Sequence, residues 1–367
     1  MIAPILIPFY EANGLSATGV FTVQSAFFIA MFFLEVPSGY IADVFGRRFS
    51  IILGSIAFPA GLVIYAFSGS LVGFIIAEAF IALAIAMRSG SDQAMMYDSL
   101  KNMKKQKEYK KTEGKAAMLE RIGDSIAAPL GGFIGAVNLK LVFFINAAVM
   151  AVMTPIALTL KEPARKKIKT SDHAAEIAGI LKYCASHPKV LLPILMYSLV
   201  FGSSIIAIWA YYMYYRELGI GVAWYGLLHA GISLASGAAS LYAYKIEKKI
   251  GLKYAVLALM PFALFSVLLG LVSSPGMIIF IFINGFILGL SVPVLFDAIN
   301  KQVPSKIRAT VISVANMGRG LFFIIFSHIF GFITDKSSLG NAFIFLGIFY
   351  ACAGLLIFAM MVRKRVV

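Results

Sequence analysis

The stretch Glu35-Val36-Pro37-Ser38-Gly39-Tyr40-Ile41-Ala42-Asp43-Val44-Phe45-Gly46-Arg47-Arg48 decides how the chain is read. One apolar run, 17–41, leads into it and another, 48–68, leads out. Each has the length that a helix rising about 1.5 Å per residue needs to cross a hydrocarbon core of about 30 Å. The junction holds an acid, two glycines and two guanidinium groups, which suits a short turn in water between two buried helices. Outward from there the pattern repeats, in a chain that is 60% hydrophobic and 13% charged. Soluble domains are roughly 45–50% apolar and about 25% charged, so this chain needs lipid as its solvent.

The net charge of +15 raises the question of nucleic acid, and the placement of the charge answers it. Of the 32 basic residues, only Lys140, Arg216 and Lys336 fall in one set of connections, and Arg88, Arg121 and Arg319 fall inside apolar runs. All the others lie in the alternate connections or at the C-terminus. By the positive-inside rule that set is cytoplasmic, which gives a multi-pass protein of the cell membrane with a cytoplasmic C-terminus and no nucleic-acid partner. Cys184 and Cys352 are isolated, with no spacing that suggests a disulfide framework or a metal site. The opening residues lack the basic region of a cleavable signal peptide.

The expected spans are 17–41, 48–68, 71–98, 116–137, 139–160, 189–215, 221–245, 252–273, 275–297, 306–334 and 340–363, preceded by an apolar stub at 1–10. As helix, the stub reaches only about 15 Å. Both ends being cytoplasmic requires twelve crossings, so the first helix is expected to be truncated, or else half-length. The expected organisation is all-α: an N-terminal bundle at 1–160, a cytoplasmic connection at 161–188 and a C-terminal bundle at 189–367. Within the connection, Ala174, Ala175, Ile177, Ala178, Leu181 and Cys184 recur at helical spacing, which suits an amphipathic helix on the membrane surface. The halves look like repeats: Asp98 and Asp297, Arg121 and Arg319, and Gly132 and Gly331 are related by almost one offset.

Gly39, Asp43, Gly46, Arg47 and Arg48 fit the pattern G-x-x-x-D-x-x-G-R-K/R, and on these residues the chain resembles the major facilitator superfamily of secondary transporters. Glu35, Pro37 and Gly39 likewise fit the E-x-P-x-G ending common in that superfamily. The resemblance implies two six-helix bundles around a central cavity that rock to give alternating access, with substrate near the midplane. It implies an inner gate formed by Gly39, Asp43, Gly46, Arg47, Arg48 and Asp98. Gly39 would let two helices approach closely, Asp43 would accept hydrogen bonds from a helix N-terminus, and Gly46 would turn the chain. The second-half loop, Lys245 to Lys253, keeps Gly251 and the basic residues but loses the rest of the pattern.

Ionisable residues at lipid depth are costly and mark pathways by default. Glu35 is read as bracing the gate, with proton carriage as the second reading. Arg88 resembles the arginine of the superfamily's R-x-x-x-G motif, although Asp92 stands where that motif has glycine. Arg88 and Asp92 are expected to pair one turn apart, either structurally or open to competition by substrate. Glu78 is the better candidate for a titrating carboxylate, against a plain interhelical hydrogen bond. Asp124 lies in Arg121–Gly132, a stretch that partly resembles the G-x-x-x-G-P-x-x-G-G signature of drug and proton antiporters. Arg319, with Asn316 three residues before it, suits an anionic or carboxylate-bearing substrate, or else pairs with Asp297. Asn284 is a further pathway residue. Trp209, Tyr211, Tyr212, Tyr214 and Tyr215 suggest an interfacial aromatic belt first, and a binding cage at Trp209 and Tyr212 second. His229 and His328 are each expected to make one hydrogen bond.

These readings favour proton-coupled efflux of an amphipathic compound, with proton-coupled uptake of a small metabolite close behind. A polytopic membrane enzyme is the rival of another class, and it would need an acid cluster or an H-E-x-x-H stretch, neither of which the sequence contains. No cofactor or metal is expected. The expected partners are a small-molecule substrate, protons and the lipid bilayer, and the chain is expected to act as a monomer.

Overall fold

A computed structural model of the 367-residue chain describes residues 1–163, 173–304 and 307–366. The basic residues from Arg165 to Lys169 and Lys306 therefore lie outside the described residues, as do the side chains of Arg121 and of 173–178. All regular structure among the described residues is helical: α1 (Ala3–Ala12), α2 (Ala17–Phe45), α3 (Arg47–Phe67), α4 (Leu71–Arg88), α5 (Ser91–Asn102), α6 (Tyr109–Val137), α7 (Leu139–Ala151), α8 (Met153–Thr159), α9 (His173–Ser186), α10 (Pro188–Glu217), α11 (Val222–Leu257), α12 (Pro261–Leu271), α13 (Ile278–Gln302), α14 (Arg308–Lys336) and α15 (Leu339–Arg363).

Among the described residues, eight helical spans are long and apolar enough to cross a membrane. The pair α11 and α12, bent by 51°, makes a ninth. α6 (Tyr109–Val137) covers the span expected at 116–137 and carries Glu113, Lys115, Glu120 and Asp124 in its first half. α11 holds two helical stretches that meet at Gly251, whose φ of 83° redirects the chain, so the spans expected at 221–245 and 252–273 are separated by a kink rather than a loop. The span expected at 71–98 is two helices: α4 ends at Arg88 and α5 starts at Ser91, with Gly90 in the left-handed region at φ 73°.

The chain divides into two compact units. Unit 1 comprises Met1–Leu15, Val23–Ser171 and Val222–Leu227. In it α3 packs along α4 and α7, around an aromatic core in which Tyr65 stacks on Phe143 at 5.2 Å and Phe9 lies 4.6 Å from the same ring. Unit 2 comprises Ser16–Thr22, Asp172–Gly221 and Leu228–Val367. Its central element is α10, packed on α13, α14 and α15. Tyr211, Tyr212, Tyr214 and Tyr215 are buried in that core, so the aromatic belt expected on the outer end of α10 is interior packing instead.

The segments out of chain order in each unit are first turns of helices seated on glycine. A Cβ on Gly132 would stand 2.9 Å from the Ala223 carbonyl oxygen, and one on Gly331 would stand 2.9 Å from Thr18 Cα. Gly132 of α6 therefore admits the start of α11, and Gly331 of α14 admits the start of α2. The two glycines that match across the sequence halves do matching work.

Candidate functional site

The turn between α2 and α3 is built by Gly46, whose φ of 109° is open to glycine and strained for other residues. It leaves the first amides of α3 pointing outward. The Glu162 carboxylate, just beyond α8, accepts from Arg47 N at 3.0 Å and from Arg48 N at 2.7 Å. A negative group thus caps the positive end of the helix. The side chain of Arg47 turns the other way, ion-pairing with Asp98 of α5 and donating to the Ala94 carbonyl at 2.7 Å. Arg48 donates to the Leu158 carbonyl at 2.8 Å. The loop is therefore tied to α5 and to the end of α8, both in unit 1.

Three expectations about this region fail. A Cβ on Gly39 would meet nothing within 4 Å, so Gly39 mediates no close helix approach among the described residues. Glu35 is exposed and its carboxylate has no hydrogen-bond partner there, so the bracing contact is missing. Arg88 and Asp92 do not pair, because the break at Gly90 separates them: Asp92 Oδ1 accepts from Gln93 N at 2.7 Å, and both side chains are exposed. Asp43 is half-buried.

Deeper in unit 1, four helices converge on Glu78. The side chain is 5% exposed, and Oε1 accepts from the hydroxyl of Tyr65 on α3 at 2.5 Å, from Gln24 of α2 at 3.3 Å and from Tyr10 of α1 at 3.4 Å. Gln24 also donates to Tyr10 at 3.1 Å, and the Tyr10 and Tyr65 hydroxyls lie 2.6 Å apart. The ring of Phe74 stacks on Tyr65. All three donors are neutral, and among the described residues no Lys, Arg or His hydrogen-bonds or ion-pairs with the carboxylate. The interhelical hydrogen bond allowed for Glu78 is present in triplicate, and the missing cation is the chemically informative point: neutralising this group requires a proton.

The polar groups of unit 2 form three smaller sets. Tyr197 of α10 donates to Asn316 Oδ1 at 3.1 Å and accepts from Arg319 Nη1 at 3.4 Å. The Arg319 guanidinium lies 4.5 Å from the centroid of the Phe201 ring. The alternative pairing of Arg319 with Asp297 is absent, since Asp297 pairs with Lys301, which also reaches Glu247 at 3.2 Å. Asn284 donates to Tyr211 at 2.9 Å, and its buried Oδ1 has no partner among the described residues. Tyr212 bonds His229 Nδ1 at 2.6 Å, and the centroid of its ring lies 6.3 Å from that of half-buried Trp209. With Tyr212 buried and bonded, the two rings do not form an open cage. His328 contacts the Ile324 carbonyl at 2.7 Å and Thr22 at 3.3 Å, more than the one bond expected. Asp124 is exposed on α6, apart from these sets, with the Met1 amino group as an electrostatic neighbour.

The model of the Major Facilitator Superfamily matches residues 1–224 and 194–367. The chain belongs to the major facilitator superfamily. Members of this superfamily are transporters, and the solved structures that resemble the chain are structures of transporters. A crystal structure of the nucleoside transporter NupG has a TM-score of 0.80 at 14% identity, covering 98% of this chain and 94% of that one. A D-xylose-proton symporter gives 0.71 at 15%, covering 97% and 91%. A bacterial homolog of the human lysosomal transporter Spinster, in an inward-facing and unoccupied conformation, gives 0.72 at 16%, covering 98% and 92%. At such identities the likeness speaks for the superfamily fold alone. Comparison with curated protein sequences finds no match.

Sequence reasoning missed Tyr10, Gln24, Tyr65, Glu162, Tyr197 and Phe201 in this superfamily member. Gln24 alone carried a signal, being a polar amide inside an apolar run.

Proposed function

We propose that the chain is a secondary transporter that moves a small molecule by alternating access and couples that movement to protons through Glu78. The observation that carries the reading is a buried carboxylate held by Tyr10, Gln24 and Tyr65 with no cation against it among the described residues. A carboxylate at lipid depth costs at least about 2.5 kcal/mol, and taking up a proton relieves that cost without moving any other charge. Protonation then shifts the balance between conformations by as much as the two conformations differ in affinity for the proton. The Arg47–Asp98 pair and the Glu162 cap serve as the inner gate. The basic connections and the C-terminus face the cytoplasm, and the protein works as a monomer.

Efflux of an amphipathic compound against protons is the reading favoured by the stretch Arg121–Gly132. A second reading, uptake of a small metabolite with protons, is favoured by the polar set Tyr197, Asn316 and Arg319 and by the likeness to a D-xylose-proton symporter.

The test uses proteoliposomes and a solute chosen by a thermal-shift screen, since ligands that bind the folded state raise its melting temperature. In Glu78→Gln, accumulation driven by an imposed pH gradient should be lost while exchange of labelled for unlabelled solute persists. Gradient-driven accumulation at the wild-type rate in that variant would refute the coupling role.

A further inference from the structure

We propose that Arg319, Asn316 and Tyr197 form a binding subsite for a monocarboxylate group, carried by a substrate with an apolar or aromatic body. The inference rests on the transport reading and specifies its solute. Arg319 lies about 16 Å along α14 from Arg308 at 1.5 Å per residue, about half the depth of a hydrocarbon core. A guanidinium so placed ordinarily pairs with an acid. Arg319 does not: its contacts among the described residues are the Tyr197 hydroxyl at 3.4 Å and the face of Phe201. Asp297, the acid one would assign to it, is held by Lys301.

The donor balance of the set sharpens the point. Tyr197 spends its proton on Asn316 Oδ1. The Asn316 amide nitrogen has no partner among the described residues, nor do the guanidinium N–H groups other than the one on Tyr197. Donors are left over in this set, and one of them is cationic. An anion completes such a set, supplying both acceptors and the opposite charge. A planar carboxylate matches the guanidinium fork with two parallel hydrogen bonds and leaves an oxygen lone pair for the Asn316 amide. The set carries one positive charge, so a monoanion neutralises it whereas a phosphate dianion overshoots. Phe201 and Phe296, the latter 4.8 Å from the Tyr197 ring, give the group an aromatic border.

The experiment measures melting temperature and calorimetric binding on full-length protein in phosphatidylcholine nanodiscs, with benzoate, the neutral benzamide and inorganic phosphate as probes. Benzoate should raise the melting temperature of the wild type saturably, and benzamide and phosphate should not. Arg319→Gln should weaken benzoate binding at least tenfold while melting no lower than the wild type without ligand. Arg319→Lys, which keeps the charge but not the fork, should fall between. Tyr197→Phe, which leaves the guanidinium in place, should still prefer benzoate over benzamide. A lower melting temperature of ligand-free Arg319→Gln would show a structural arginine and overturn the proposal. So would no benzoate shift, equal shifts with benzamide, a larger shift with phosphate, or a shift seen only with anionic phosphatidylglycerol in the disc, which would assign the site to a lipid headgroup. Binding here and gradient-driven transport are separate readouts, so loss of one leaves the other standing.

Discussion

Gly46 and Gly39 sit seven positions apart in one motif and have opposite surroundings. Gly46 combines a φ of 109° with the Glu162 carboxyl carbon 3.2 Å from where a Cβ would stand, while a Cβ on Gly39 would meet nothing within 4 Å. Gly46→Ala should therefore cost about 1–3 kcal/mol through backbone strain, and Gly39→Ala should leave stability unchanged or slightly raised. Differential scanning fluorimetry of the two variants checks both, and equal effects would contradict the account of the turn. The motif made the turn legible, because glycine spacing and an arginine pair are local signals. Glu162 was not legible: Lys161-Glu162-Pro163 reads as ordinary surface charge, and only the fold brings it to the start of α3. Glu78 was legible as an ionisable group in an apolar run, but its partners come from three other helices and carry no shared spacing.

Local rules were weakest where a helix starts or stops. The run 71–98 looked continuous because Ser89 and Gly90 are only two residues in an otherwise apolar and helical stretch, yet Gly90 in the left-handed region ends α4 and separates Arg88 from Asp92. The start of α3 depends on a cap that does not come from its own sequence. Glu162→Gln keeps the shape and removes the charge, so it should lower stability by about 1 kcal/mol at low ionic strength, with a smaller effect at high salt. A melting-temperature difference that is insensitive to salt would argue against a charge-based cap. The aromatic run on α10 was misplaced for a related reason. Periodicity says that Tyr211 to Tyr215 surround the helix, but not that α10 is the central element of its unit, packed on every side.

For the whole molecule, composition and the spacing of apolar runs made the architecture legible before any contact was known, and the family match agrees with it. One consequence separates a membrane protein from a soluble bundle. Cys352 is exposed on α15, within a span apolar enough to cross a membrane. In liposomes a charged maleimide should leave it unlabelled, and denaturation should expose it; rapid labelling of the folded protein would place that face in water. Cys184 should also label slowly, because burial pushes its thiol above the ordinary range and thiolate is the reactive form. The central claim, that Glu78 carries the coupling proton, is tested most directly by following internal pH with a trapped dye as a transported solute is added to proteoliposomes. The wild type should move protons with the solute, and Glu78→Gln should move solute in exchange without any proton flux. Wild-type proton flux in Glu78→Gln would contradict the account.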